Sequence, residues 1–191
     1  MHEIRLTFSR EVDFAKLIQY ARSWNWIPET PSEYPVPATN PREMDSCVFV
    51  WRFEKNGVSR FVDDEVTEVQ YFVLRGEDVR SVAADLADSF PTITHVDCLG
   101  VLAGDVSGVE RERALETLGV IAPRDYNEAV YEAVSKGLDG DSVEIRAAAI
   151  SATFQLSWME LRPPLQGVAT RDPDLNNRAY ASNVLHTLPL S

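Results

Sequence analysis

Glu110-Arg-Glu-Arg113-Ala114-Leu, Val143-Glu-Ile-Arg146-Ala147-Ala and Leu175-Asn-Asn-Arg178-Ala179-Tyr decide how this chain is read. The Arg-Ala pair returns at 113, 146 and 178, spacings of 33 and then 32 residues. A fixed period of that length marks stacked supersecondary units. Apolar residues around the pairs recur at helical spacing. Tyr126, Val130, Ala133, Val134 and Leu138 form one stripe, and Val143, Ala147, Ile150 and Phe154 form another. Asp139-Gly-Asp141 separates these stripes, and Asp172-Pro-Asp174 precedes the third pair. Asp172 before Pro173 reads as an N-cap followed by proline at the first helical position. Asp141 with Glu144, and Asp125 with Glu128, have capping-box spacing. Each unit is therefore helix, short turn, helix. Neither helix buries its apolar face alone, so the units must stack.

The pattern resembles HEAT repeats over residues 106–188. The resemblance is carried by the Asp-rich turns at 139–141 and 172–174 and by the Arg-Ala starts of the second helices, Arg146-Ala147 and Arg178-Ala179. Glu160-Leu161-Arg162-Pro163-Pro164-Leu165 also looks like a HEAT first helix, where a proline kink is common. The first unit departs from the pattern, with Gly108 in place of the capping Asp. The resemblance implies a protein-binding scaffold rather than an enzyme. It also implies that the preceding half acts as an end cap on the stack.

Residues 1–104 read differently, as mixed α and β. In His2-Glu-Ile-Arg-Leu-Thr-Phe8 the apolar Ile4, Leu6 and Phe8 share one face, the alternation of a half-buried strand. Val12, Phe14, Ala15, Leu17, Ile18 and Ala21 follow at helical spacing, ending near Trp24 and Trp26. Five prolines between Pro28 and Pro41 predict a loop or flap, since proline fixes φ and removes a donor. Cys47-Val-Phe-Val-Trp-Arg-Phe53 reads as a strand, and Asn56-Gly57 as the turn of a hairpin returning over Val58–Val62. Val69–Leu74 is a further strand. A helix with Val79, Val82, Ala83 and Leu86 on its apolar face runs up to Phe90-Pro91. Thr92–Leu102 is expected to close the half as a last strand. The order β-α-β-β-β-α-β is ferredoxin-like, a split βαβ unit with one extra strand and helices on one face of an antiparallel sheet. The expected fold is thus α+β in two parts, 1–104 and 105–191.

Composition bounds the partners. The chain has 191 residues, 18 Lys+Arg against 30 Asp+Glu, and a net charge of −12. Binding to phosphate backbones or anionic membrane surfaces needs a basic surface, so nucleic acid and membrane are disfavoured as partners. A basic protein partner and plain solubility remain. No apolar run reaches the ~20 residues of a membrane helix and no leader is visible, so a cytoplasmic location is expected. The two cysteines, Cys47 and Cys98, do not make a disulfide scaffold.

Chemistry-bearing motifs are scarce. His2, His95 and His186 lie far apart and outside metal-ligand spacings, so no metal site is expected. No phosphate-binding glycine loop and no nucleophile elbow occurs, so no cofactor is expected. On a strand, His95 and Asp97 would share a face, and Cys98 would point away. Asp63, Asp64, Glu65 and Glu68 make a dense acidic hairpin tip, read either as a solvated turn or as a docking point for a basic partner. Trp26 and Tyr34 beside the Pro-rich stretch suit interface anchors, against the alternative that Trp24 closes the first helix onto the sheet and Trp51 faces the core. The reading is a non-catalytic protein-interaction module, in its sharper form an acidic immunity or inhibitor protein docking on a basic effector such as a nuclease toxin. The alternatives are an enzyme of unrecognised type with His95 and Asp97 at a site between the halves, and a structural or regulatory subunit.

Overall fold

The computed structural model describes residues 2–8, 12–29, 46–53, 57–64 and 69–189, with the side chains of Ser46 and Cys47 left aside. The Pro-rich stretch from Pro31 to Pro41 and Asn56 of the expected Asn-Gly turn fall outside these. The fold is α+β. The chain divides into two compact units, Met1–Thr94 and His95–Ser191. The division falls earlier than the 104/105 break in composition, because the segment expected to end the sheet belongs to the helices.

In the first unit, β1 (His2–Phe8), β2 (Ile27–Pro28), β3 (Ser46–Phe53), β4 (Gly57–Asp64), β5 (Val69–Gly76) and β6 (Thr92–Ile93) form one sheet. Its order is β2-β3-β4-β5-β1-β6, with every neighbouring pair antiparallel. β5 and β6 therefore run the same way, with β1 inserted between them. Helices α1 (Phe14–Ser23) and α2 (Val79–Ser89) supply Leu17, Ala21, Val79, Ala83 and Leu86 to the core. Register places Leu6, Phe72, Phe61 and Phe49 side by side across four strands. Phe61 and Phe72 meet edge-to-face with centroids 5.4 Å apart, a geometry contributing ~0.5–1.5 kcal/mol beyond the area buried. Val48, Val62, Tyr71 and Val73, which point to the opposite side of the pleat, are buried as well. Burial on both sides explains why Val69–Leu74 reads as a nearly unbroken apolar run. Asp13 accepts from the Ala15 N–H at 3.0 Å and starts α1 just after Val12.

Thr92–Leu102 is not a strand. Only Thr92 and Ile93 pair with β1, and His95–Ala103 is α3. A short apolar run does not distinguish strand from buried helix by periodicity. Here Asp97 in the first turn suits the positive end of a helix.

The second unit continues with α4 (Gly108–Ile121), α5 (Glu128–Leu138), α6 (Val143–Leu156), a 3-10 turn (Met159–Leu161), α7 (Arg162–Arg171) and α8 (Leu175–Thr187). α3 packs on α4, α5 on α6 and α7 on α8, as three hairpins. Across hairpins, α4 contacts α6 and α6 contacts α8, while α3 contacts α5 and α5 contacts α7. First helices thus stack on first helices and second on second. Each cap sits slightly downstream of the expected one. Ser142, not Asp141, accepts from Ile145 N–H. Asn127, not Asp125, accepts from Val130 N–H. Asp174, not Asp172, accepts from the Asn176 and Asn177 N–H groups. The first hairpin, where Gly108 replaces Asp, has a full capping box between Ser107 and Glu110. Pro163 and Pro164 lie in the first turn of α7, where a missing N–H costs nothing, and start the helix instead of kinking it.

Candidate functional site

Buried polar chemistry fixes the geometry of the last two hairpins. Arg146 on α6 forks onto Asp172, with Nε to Oδ2 at 2.6 Å and Nη2 to Oδ1 at 3.0 Å. Its Nη1 donates to the Gly140 carbonyl at 2.8 Å. Arg178 repeats that last contact one unit later, donating to the Asp172 carbonyl. Asp172 also accepts from Asp174 N–H at 2.8 Å, and Asn177 Nδ2 donates to the Val143 carbonyl at 3.1 Å. The Arg146 hydrogen bonds hold the Asp172 carboxyl below the usual carboxylate range and raise the Arg146 guanidinium above its own. A buried pair gains little net stability over apolar packing of the same volume, but breaking it by removing one partner is costly.

This frame presents an edge of intra-hairpin turns. Val109, Val143 and Leu175 each lie in the first turn of a second helix, 74%, 41% and 70% exposed. Exposed carboxylates flank them: Asp105 and Glu110 at the first turn, Asp139, Asp141 and Glu144 at the second. Arg113, Lys136 and Arg171 are exposed cations on the helices that meet at these turns. Ser107 donates to the Glu110 carboxylate from both its hydroxyl, at 2.7 Å, and its backbone N–H, at 3.0 Å. Those bonds hold Glu110 below the usual carboxylate range.

The opposite edge, where one hairpin connects to the next, carries aromatics. Tyr126 is 47% exposed, and its ring lies 5.5 Å from Trp158 and 5.9 Å from Tyr131. Trp158 is buried, with its indole N–H donating to the Arg124 carbonyl at 2.9 Å. Ser157 ends α6 in the left-handed region, φ 55°, and turns the chain to deliver Trp158 there. Burial and then the carboxylates of Glu128 and Glu160 raise the Tyr126 phenol above its ordinary value.

The residues singled out from sequence fare unequally. Glu65, Glu68 and Tyr34 lie outside the described residues. Asp64 is 2% exposed, so it is not a surface docking group. Asp63 accepts from Gln70 Nε2 at 3.1 Å, and Gln70 Oε1 in turn accepts from Val12 N–H at 2.8 Å. Asp63 therefore helps tie β4 to the approach of α1. Trp26 is 6% exposed and stands edge-on to Tyr20 and Phe72. It is a core residue, and its indole area is spent on the sheet. His95 and Asp97 lie on a helix, where residues two apart do not face each other. Cys98 is buried, and burial followed by Asp97 pushes its thiol up to about 11. Among the described residues no group of three His, Cys, Asp or Glu could hold a metal ion, and no helix is long and apolar enough to cross a membrane.

Helical spacing puts Tyr126 and Val143 on apolar stripes and gives no surface role to Leu175 or Val109, yet all four are exposed. Tyr126 fits the apolar period of α5 but precedes the start of that helix at Glu128, so the chain swings it outward. Leu175 and Val109 carry a signal that periodicity does not: an aliphatic residue at the start of a helix, next to the cap. No protein-family model, no curated protein and no solved structure matches this chain.

Proposed function

We propose that the protein is a non-catalytic, acidic protein-binding module whose helical unit docks a basic partner on its turn edge. In this reading the helical unit is HEAT-like. The stacking of first on first and second on second helices supports that. The sheet unit is a ferredoxin-like variant, supported by β5-α2-β6 with β1 inserted between the parallel strands. The observation that carries the function is that Val109, Val143 and Leu175 are each exposed in the first turn of a second helix, the first two among exposed carboxylates. Exposed aliphatics rimmed by charge are the surface of an interface, and single-sign charge speeds encounter with the opposite sign. A basic effector inhibited by an acidic immunity-type binder is the sharpest form of this proposal.

The test is capture from native lysate on immobilised protein, with low-salt and then high-salt washes, beside the V109S/V143S/L175S variant. The reading expects a basic protein that is held at low salt, released at high salt and lost on the variant. Capture that survives the triple substitution, or no partner at low salt, overturns it.

A further inference from the structure

We propose that Tyr126, backed by Trp158 and ringed by Glu128, Glu132 and Glu160, is a docking platform for the guanidinium of an arginine on a partner protein. The inference goes beyond the turn-edge reading, because it stands on the opposite edge of the hairpins. Three features meet there. The first is an aromatic ring half open to solvent and fixed from beneath. Tyr126 contacts Trp158 and Tyr131 with interplanar angles of 54° and 47°. Trp158 is buried and its only polar atom is already bonded to the Arg124 carbonyl. The platform is therefore built before a ligand arrives, which removes an ordering cost.

The second feature is charge. Glu128, Glu132 and Glu160 are all exposed, and each acts electrostatically on the Tyr126 phenol. They come from two hairpins, α5 and the turn before α7, so the fold and not the local sequence gathers them. Asp125 adds a fourth carboxylate in the same loop, against one cation, Arg124. Lys136 is exposed on α5 one turn beyond Glu132, and Arg162, two residues after Glu160, donates to the Leu185 carbonyl at 3.1 Å.

The third is the match between these groups. A cation over an aromatic face is attracted by the ring quadrupole. A guanidinium also stacks flat and points its N–H groups outward in the ring plane, toward surrounding carboxylates. An ammonium offers the charge without the plane, so arginine fits this surface better than lysine.

The experiment titrates tyrosine-labelled protein with the peptide acetyl-Gly-Arg-Gly-amide and reads the ring resonances by NMR. The neutral isostere acetyl-Gly-citrulline-Gly-amide and the lysine peptide are run alongside. The expected result is saturable shifts at Tyr126 and Tyr131 with a dissociation constant of about 1 mM, as befits one side chain. Citrulline should bind about tenfold more weakly, and lysine several-fold more weakly. Y126F should keep the response, Y126A should lose it, and E128Q/E132Q/E160Q should weaken it about tenfold. Equal binding of citrulline or lysine overturns the proposal, as does an Arg-peptide response unchanged in Y126A. V109S/V143S/L175S should keep the full peptide response, so failure of the turn edge and failure of this platform read out separately.

Discussion

Helix α6 is gripped from both sides, and the two grips use different chemistry. Toward α4 the contact is backbone against backbone. A Cβ on Gly119 would lie 2.5 Å from the Ala152 Cα, so only glycine lets the helices come this close. Toward α8 the contact is polar, the Arg146–Asp172 fork and the Asn177 bond to the Val143 carbonyl. The sequence repeats Arg-Ala in all three hairpins, and Arg178 repeats Arg146's bond to a turn carbonyl, but Arg113 does not share that role. Arg113 is exposed where Arg146 is buried. One period before Asp172 lies Gly140, which offers Arg146 a backbone carbonyl and no carboxylate. Repetition of a residue thus predicts an element more reliably than it predicts an interaction.

The contrast is most easily broken at the polar grip. Arg146→Ala leaves the Asp172 carboxylate buried without its partner and should cost about 3–5 kcal/mol. Arg113→Ala, at the equivalent sequence position, should stay within about 0.5 kcal/mol. Urea unfolding of the two variants side by side reads the difference directly. Similar losses in both would mean that Arg113 makes the same clamp as Arg146. The apolar grip comes next. Gly119→Ala gains about 1 kcal/mol of helix propensity, but its methyl must push α6 aside, an overpacking cost of about 1–3 kcal/mol. A net loss is expected. A net gain in melting temperature would show that the two helices part freely.

How much of this was legible beforehand follows the same division. Apolar periods were readable: β1, the β3–β4 hairpin, α2 and the pairing of helices all follow from spacing. What failed was the phase of short features. In an acidic chain nearly every turn offers two or three capping groups. Asp141 beside Ser142, and Asp172 beside Asp174, are equal on paper until the fold decides which faces the open N–H groups. Asp172 reads as a cap and is the buried half of an ion pair. Trp26 reads as surface because it borders a proline-rich stretch, but Asn25, in the left-handed region at φ 54°, turns the chain so that the indole enters the core. Tyr126 failed in the opposite sense, an apolar-stripe residue that lies outside. None of the three is a matter of periodicity, and each depends on a partner far away in the chain.

Acid should sharpen the polar grip from another direction. Asp172 titrates lower in the folded protein than its ordinary value near 3.9, chiefly through the Arg146 hydrogen bonds. A depressed folded value means that the unfolded state binds the proton more readily. The resulting stability is complete above about pH 4 and is lost as pH falls through the folded value. Asp172→Asn is expected to be less stable than the native chain at pH 7, and the two should converge as the pH drops below about 4. Stability curves that stay parallel into that range would mean that Asp172 is not held as an anion by Arg146.

The smallest effect concerns the first hairpin, which has neither the paired aspartates of the later turns nor their clamp. Its second helix is started instead by the reciprocal bonds of Ser107 and Glu110. Ser107→Ala removes the acceptor for the Glu110 N–H and should cost about 1 kcal/mol, while Asp141→Ala, one residue before the true cap of α6, should cost almost nothing. Amide hydrogen exchange is the suitable probe, because the first-turn amides of α4 should lose protection in the first variant while those of α6 keep it in the second. If Asp141→Ala instead exposed the first turn of α6, Asp141 would share the capping with Ser142. The acidic turns would then be holding up the helices that present Val143 and Leu175, and not only lining the surface beside them.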